Sequence, residues 1–221
     1  MTGAMRKPRV AILISGRGSN MVSLIEAAQA PDFPAEIVLV LSNRPEAAGL
    51  ARASEAGIPA RAIDHRAYPD RASFDAALQA ALEAERIDLV CLAGFMRIFT
   101  PGFVEAWSGR MLNIHPSLLP LFRGTHTHEQ ALAAGVRLHG CTVHFVVPEL
   151  DAGPIVAQAA VPVRPGDDAD SLAARVIVEE HRLYPAALAL VAGGRARLAE
   201  DRVVFDEALP RAQGALLSLV A

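Results

Sequence analysis

Two side chains set two residues apart suggest the chemistry of this chain: the amide of Asn113 and the imidazole of His115, in the run Asn113-Ile114-His115-Pro116-Ser117-Leu118-Leu119-Pro120. In an extended segment, residues i and i+2 project from one face, so both groups can enter a single cleft. An amide N–H can hold a developing oxyanion, and an imidazole can exchange a proton near neutral pH. Pro116 biases His115 toward extended backbone and ends the strand, which leaves both side chains at its carboxyl end. Open α/β sheets bind their ligands there. Residue types alone also fit a strand stopped by a proline-rich turn, with Asn113 capping backbone and His115 half-exposed.

A second stretch, Ser15-Gly16-Arg17-Gly18-Ser19-Asn20, follows a β-branched run and opens a helical segment. Free backbone N–H groups and the helix dipole favour an anion at such a place, and phosphate is the natural candidate. Met21 stands where a dinucleotide fingerprint needs a third glycine, and no Gly-Lys-Ser/Thr follows. Ser42-Asn43-Arg44 closes the second strand where an acid is wanted, which disfavours NAD and leaves NADP only through Arg44. The alternative is a tight turn with Ser19 or Asn20 capping the helix. A third candidate is Asp151, in a loop joining two long strands that could flank the Asn113-His115 strand. A carboxylate facing an imidazole fixes its tautomer and favours its protonated form; alone, Asp151-Ala152-Gly153-Pro154 reads as a turn.

These groups need a scaffold. Short β-branched runs alternate with alanine-rich segments of helical period, the pattern of parallel strands joined by crossover helices. The expected fold is α/β: a mostly parallel, Rossmann-like twisted sheet flanked by helices, with antiparallel strands in the C-terminal part. Strands are predicted near 10–14, 37–41, 60–63, 89–92 and 112–114, and helices near 20–30, 47–56, 73–85, 101–107 and 128–134. Gly57 and Gly135 fit helix ends, and Thr100-Pro101 reads as an N-cap followed by proline at the first helical position. Longer strands are expected at 138–147 and 155–163, reversed by the loop between them. A long helix at 171–190 and a short strand at 203–205 close the fold, with the apolar 215–221 packed or frayed.

With 221 residues, 52% of them hydrophobic, the chain suits one domain with a sizeable core. A net charge of -3 supplies no field for nucleic acid, so small ligands are expected. Cys91 and Cys141 form neither a disulfide framework nor a zinc spacing, which fits a cytoplasmic protein. His126, His128, His139 and His144 match no metal-binding helix, so no metal is expected. The apolar run at 10–14 is too short for a signal peptide, and no later segment is long enough to span a bilayer.

From about Val10 to its final helix the chain resembles the phosphoribosylglycinamide formyltransferases, folate-dependent enzymes of purine synthesis. The resemblance rests on Ser-Gly-Arg-Gly-Ser-Asn (15–20), Leu-Ala-Gly-Phe-Met-Arg-Ile (92–98), the octapeptide at 113–120, Gly-Thr-His-Thr-His (124–128) and Glu-Leu-Asp-Ala-Gly-Pro (149–154). The octapeptide belongs to the wider formyl-folate superfamily, whereas the first loop points to the glycinamide ribonucleotide branch. The resemblance implies formyl transfer from 10-formyltetrahydrofolate to the amine of 5-phosphoribosylglycinamide, without a metal. Asn113 would donate to the oxyanion, protonated His115 would stabilise that charge and move protons, and Asp151 would hold His115. Gly18, Ser19 and Asn20 would bind the phosphoribosyl substrate, met by Glu180 from the last helix. Arg71, Met96, Arg97, Ile98 and Phe99, with Asn113, would line the folate site, although on periodicity Met96, Ile98 and Phe99 also read as core. Phe99, Leu121 and Thr125 depart from the usual residues of the family. A single domain, 1–221, is expected, with a nucleotide-binding half at about 9–100 and a catalytic, folate-binding half at about 101–221; it would act as a monomer or homodimer.

Three other readings remain open. A formyltetrahydrofolate deformylase would use the same triad to deliver water, but its relatives carry an N-terminal regulatory domain not seen here. A methionyl-tRNA formyltransferase would add a C-terminal domain and a basic surface. A non-catalytic folate or nucleotide binder would have no need of Asn113, His115 and Asp151 together.

Overall fold

Aliphatic residues on both faces make the first strand, β1 (Arg9–Ile14), a sheet interior. Val10, Ile12 and Ile14 enter one apolar core, and Ala11 and Leu13 enter another on the opposite face. The structure, a computed structural model, describes residues 6–206. β2 (Glu36–Ser42), β3 (Ala60–Ala62), β4 (Leu89–Leu92) and β5 (Met111–His115) continue the parallel sheet, and β6 (Leu138–Phe145) and β7 (Ile155–Pro162) extend it antiparallel. The order is β3-β2-β1-β4-β5-β6-β7. The chain thus winds from β1 toward β3, then crosses back to β4 on the other side. Beyond the carboxyl ends of β1 and β4, where this reversal occurs, a crevice opens.

α1 (Ser19–Ala28), α2 (Ala48–Glu55), α5 (Thr127–Ala133) and α6 (Ala169–Ala192) contribute to the core on one face of the sheet; α3 (Arg71–Ala84) and α4 (Pro101–Ala106) fill the other. Thr100 caps α4 by accepting from Phe103 N–H, with Pro101 in the first turn, and Gly57 and Gly135 follow their helices at φ 77 and 65. α6 begins earlier than its apolar period suggests, because Asp168 and Ser171 form a reciprocal capping box. Tyr184 anchors α6: its fully buried hydroxyl lies 3.1 Å from the carbonyl oxygens of Leu92 and of Leu112, on adjacent strands. Glu180, one turn earlier on the same helix face, is thereby aimed at the crevice.

One expectation needs correction, and one strand is additional to those expected. Of the two long strands only β6 flanks β5; β7 pairs with the far side of β6, because the short connection makes the two long strands neighbours of each other. The strand expected at 203–205 is β9 (Arg202–Phe205), and it pairs with an unforeseen β8 (Ala196–Ala199) in a separate hairpin. Ala and Arg are weak strand formers, so β8 depends on cross-strand pairing rather than propensity. The segment 215–221 lies outside the described residues. Among those described, no helix is long and apolar enough to cross a membrane.

Candidate active site

The crevice has two adjoining parts. The first, about 810 Å³, is lined by residues 15–20, Arg44, Ala93, Gly94 and Met96. Gly18 occupies the N-cap of α1 in the left-handed region, and no side chain caps the helix. Neither Ser19 nor Asn20 therefore acts as the cap that a tight-turn reading requires, and the first-turn N–H groups are left for a ligand. The turn packs tightly against α2. Gly49 N–H donates to the Gly16 carbonyl at 3.0 Å, and a Cβ on Gly49 would press into Ile14.

Asn20 turns inward instead. Its Nδ2 donates to Glu180 Oε2 at 2.6 Å, while its Oδ1 is buried without a partner. Burial pushes the Glu180 carboxyl above its ordinary range, and the bond from Asn20 offsets part of that rise. An orphaned acceptor beside a carboxylate suits hydroxyl groups of a ligand.

The second part, about 600 Å³, begins where Asn113 points down from β5. Asn113 and His115 share the face of Met111, which faces the core built on α3 and α4. The Asp151 carboxylate meets His115, with Oδ2 3.5 Å from Nδ1, an ion-pair distance rather than a hydrogen bond. Oδ2 also accepts from Gly124 N–H at 2.8 Å, which ties the loop after β5 to the loop after β6. His115 Nε2 lies 2.9 Å from the Phe122 carbonyl. The Phe122 carbonyl thus faces one ring nitrogen of His115 and the Asp151 carboxylate the other. His115 is 4% exposed and does not itself line the cleft, whereas Asn113 and Asp151 do.

His144 is the residue that sequence reasoning missed, having considered it only as a metal ligand. It pairs directly across from Asn113 in the antiparallel register of β5 and β6. Its Nδ1 lies 2.9 Å from the Phe145 carbonyl, which assigns the proton there and leaves Nε2 to accept from Asn113 Nδ2 at 3.2 Å. Burial holds the His144 pKa below its usual value, in keeping with this neutral tautomer. One amide proton of Asn113 is thus occupied, and the other is free for the cleft. The antiparallel register that pairs the two residues is a long-range property carried by no local motif.

The remaining wall is apolar. Phe99, 7% exposed, stacks between Phe95 and Phe103 with centroid distances of 5.2 and 4.6 Å. Arg97, Ile98 and Phe99 line this cleft, and Ile98 is 57% exposed at its edge. Met96, 66% exposed, lines the first part, and Arg71 sits exposed at the start of α3, outside both linings. Phe99 is core, as periodicity suggests; Met96 and Ile98 are not. His128 Nδ1 lies 3.1 Å from His139 Nε2, and among the described residues no three potential ligands converge on a metal position.

The chain is similar to known proteins over most of its length. Residues 8–188 match the family model described as formyl transferase. The chain is 54% identical over 196 residues to the trifunctional purine biosynthetic protein adenosine-3 of Bos taurus, covering 89% of this chain and 19% of that protein. It therefore spans about a fifth of the length of such multifunctional relatives. It is 44% identical over 197 residues to the phosphoribosylglycinamide formyltransferase of Escherichia coli, covering 89% of this chain and 93% of that one. The solved glycinamide ribonucleotide transformylase 1 of Symbiobacterium toebii superposes with a TM-score of 0.89 at 45% identity, over 93% of this chain and 97% of that one. A glycine turn at a switch point, an amide and imidazole at the end of β5 and a carboxylate returning after β6 thus occur within a match covering most of the chain, and the protein belongs to the formyl transferase family.

Proposed function

We propose that this protein transfers the formyl group of 10-formyltetrahydrofolate to the amine of 5-phosphoribosylglycinamide, in purine biosynthesis. The observation that carries the proposal is the shared wall at residues 92–96, which separates the apolar cleft holding Asn113, His144 and Asp151 from the uncapped helix terminus at Gly18–Asn20. A donor and a phosphorylated acceptor bound on opposite sides of that wall would meet beside Asn113. The relatives named for this reaction support the same assignment.

The apolar cleft suits a flat heterocycle: Phe99 and Val104 supply apolar surface, and the polar groups gather at one end. The free amide proton of Asn113 is placed to donate to the formyl oxygen as negative charge grows there. Asp151 orients His115, whose imidazolium stabilises that charge; the carboxylate takes the proton lost by the attacking amine, through water, and the intermediate collapses as the bond from the formyl carbon to the folate nitrogen breaks and that nitrogen leaves with a proton. Gly18 and Ser19 hold the acceptor's phosphate, while Asn20 and Glu180 receive its hydroxyl groups. Two buried, unpaired cysteines fit a cytoplasmic enzyme.

The fold alone does not select the acceptor, since the same carboxylate could deliver water. Incubation with 10-formyltetrahydrofolate, with and without phosphoribosylglycinamide, separates the readings. Folate release only when the amine is present is expected; equal release without it would make the protein a hydrolase.

A further inference from the structure

Arg17 and Arg44 stand on different loops at the mouth of the anion cleft, and both line it. Two braces hold those loops together. The Ser15 hydroxyl donates to Asn43 Oδ1 at 2.6 Å, and Gly49 N–H donates to the Gly16 carbonyl at 3.0 Å. Ser42 pins Arg44 further: its hydroxyl accepts from Arg44 N–H at 3.0 Å and donates to the Arg44 carbonyl at 2.9 Å. The backbones are thus fixed while both side chains are exposed.

Among the described residues, neither guanidinium has a hydrogen-bond or ion-pair partner. Nearby carboxylates are otherwise engaged. Glu46 and Asp64 pair with Arg66, and buried Glu180 takes the Asn20 amide. Two uncompensated positive charges therefore face the uncapped start of α1, in a cleft whose floor includes Asn20, 8% exposed and with Oδ1 unpartnered. A planar guanidinium presents paired N–H donors that match phosphate oxygens, and it keeps its charge at any working pH.

We infer that Arg17 and Arg44 form a guanidinium clamp on the terminal phosphate of the acceptor and set the preference for a phosphorylated over a dephosphorylated amine. The inference rests on the proposed function and adds its specificity. The glycine turn provides backbone donors to any small anion, whereas the two arginines approach from separate loops and require a group that bridges them. A phosphate monoester, carrying about two negative charges, balances the pair.

The test is steady-state kinetics of Arg17→Ala, Arg44→Ala and the double variant with phosphoribosylglycinamide and with its dephosphorylated counterpart. Each single change should raise KM for the phosphorylated amine about tenfold, as expected for loss of a charge-assisted hydrogen bond, with little change in kcat. KM for the dephosphorylated amine should stay the same, and the double variant should lose most of the preference. Arg44→Lys should fall between, because it keeps the charge and loses the fork. Binding of inorganic phosphate, followed by calorimetry, should weaken in the double variant and lose its salt dependence. An unaltered KM in the double variant together with unaltered phosphate binding overturns the clamp. Wild-type protein inactive on phosphoribosylglycinamide would sink the proposed function, while phosphate binding would still decide the clamp.

Discussion

Asp151 and His115 face each other at 3.5 Å, although one lies in the loop after β6 and the other ends β5. Asp151 takes a left-handed backbone, φ 49, to reach this position. Aspartate and asparagine tolerate that region better than most residues, so Asp151→Asn should keep the loop and remove only the charge. The expected loss is about 10²–10⁴ in kcat, the usual span for a positioned proton-transfer group, with acceptor KM nearly constant. A variant impaired in KM alone would show that Asp151 serves binding and not proton transfer.

Asn113→Ala should lower kcat by about 10²–10³, as removal of an oxyanion donor does, while leaving acceptor affinity intact. His144 works through Asn113, since its Nε2 accepts the amide proton. His144→Ala should therefore cost less than Asn113→Ala, and the double variant should lose no more than Asn113→Ala itself. Additive losses across this cycle would mean that His144 acts independently.

Glu180 couples stability to pH. Burial raises its carboxyl pKa in the folded chain, so the folded state holds this proton more tightly than the unfolded state does. The resulting stability is complete below the ordinary glutamate range and is lost as pH rises from that range through the raised folded value. Glu180→Gln cannot ionise, and its melting temperature relative to wild type should climb across the same window. Acceptor KM should rise in parallel. Melting curves whose difference stays flat with pH would contradict the assigned burial of a titrating carboxyl.

Gly153 fixes how closely the Asp151 loop approaches β6. A Cβ there would run into the Phe145 carbonyl, a backbone atom that cannot swing away. Gly153→Ala should destabilise the loop and draw Asp151 from His115, lowering kcat with a smaller effect on acceptor KM. Full activity and an unchanged melting temperature would show that the loop has room to adjust.

Much of this was legible in local patterns. The alternating cores of β1 and β4, the helix ends at Gly57 and Gly135 and the shared face of Asn113 and His115 all follow from short-range periodicity and backbone sterics. Arg71 and Met96 show the limit. Arg71 stands exposed at the start of α3 and Met96 borders the first part of the crevice, positions set by how α3 and the segment after β4 dock on the sheet and carried by no local pattern.

The amino-acid sequence carries the α/β alternation, a glycine turn opening a helix, and an amide and imidazole at one strand end. The tertiary structure brings Asp151, already a candidate in the sequence, to His115, and it adds two pairings that no local pattern announced: His144 with Asn113 and Glu180 with Asn20. The physical reason is range. Strand and helix periods act over a few residues, whereas the antiparallel register of β5 with β6 and the docking of α6 by buried Tyr184 join residues far apart in the chain, and they form only when the whole core packs.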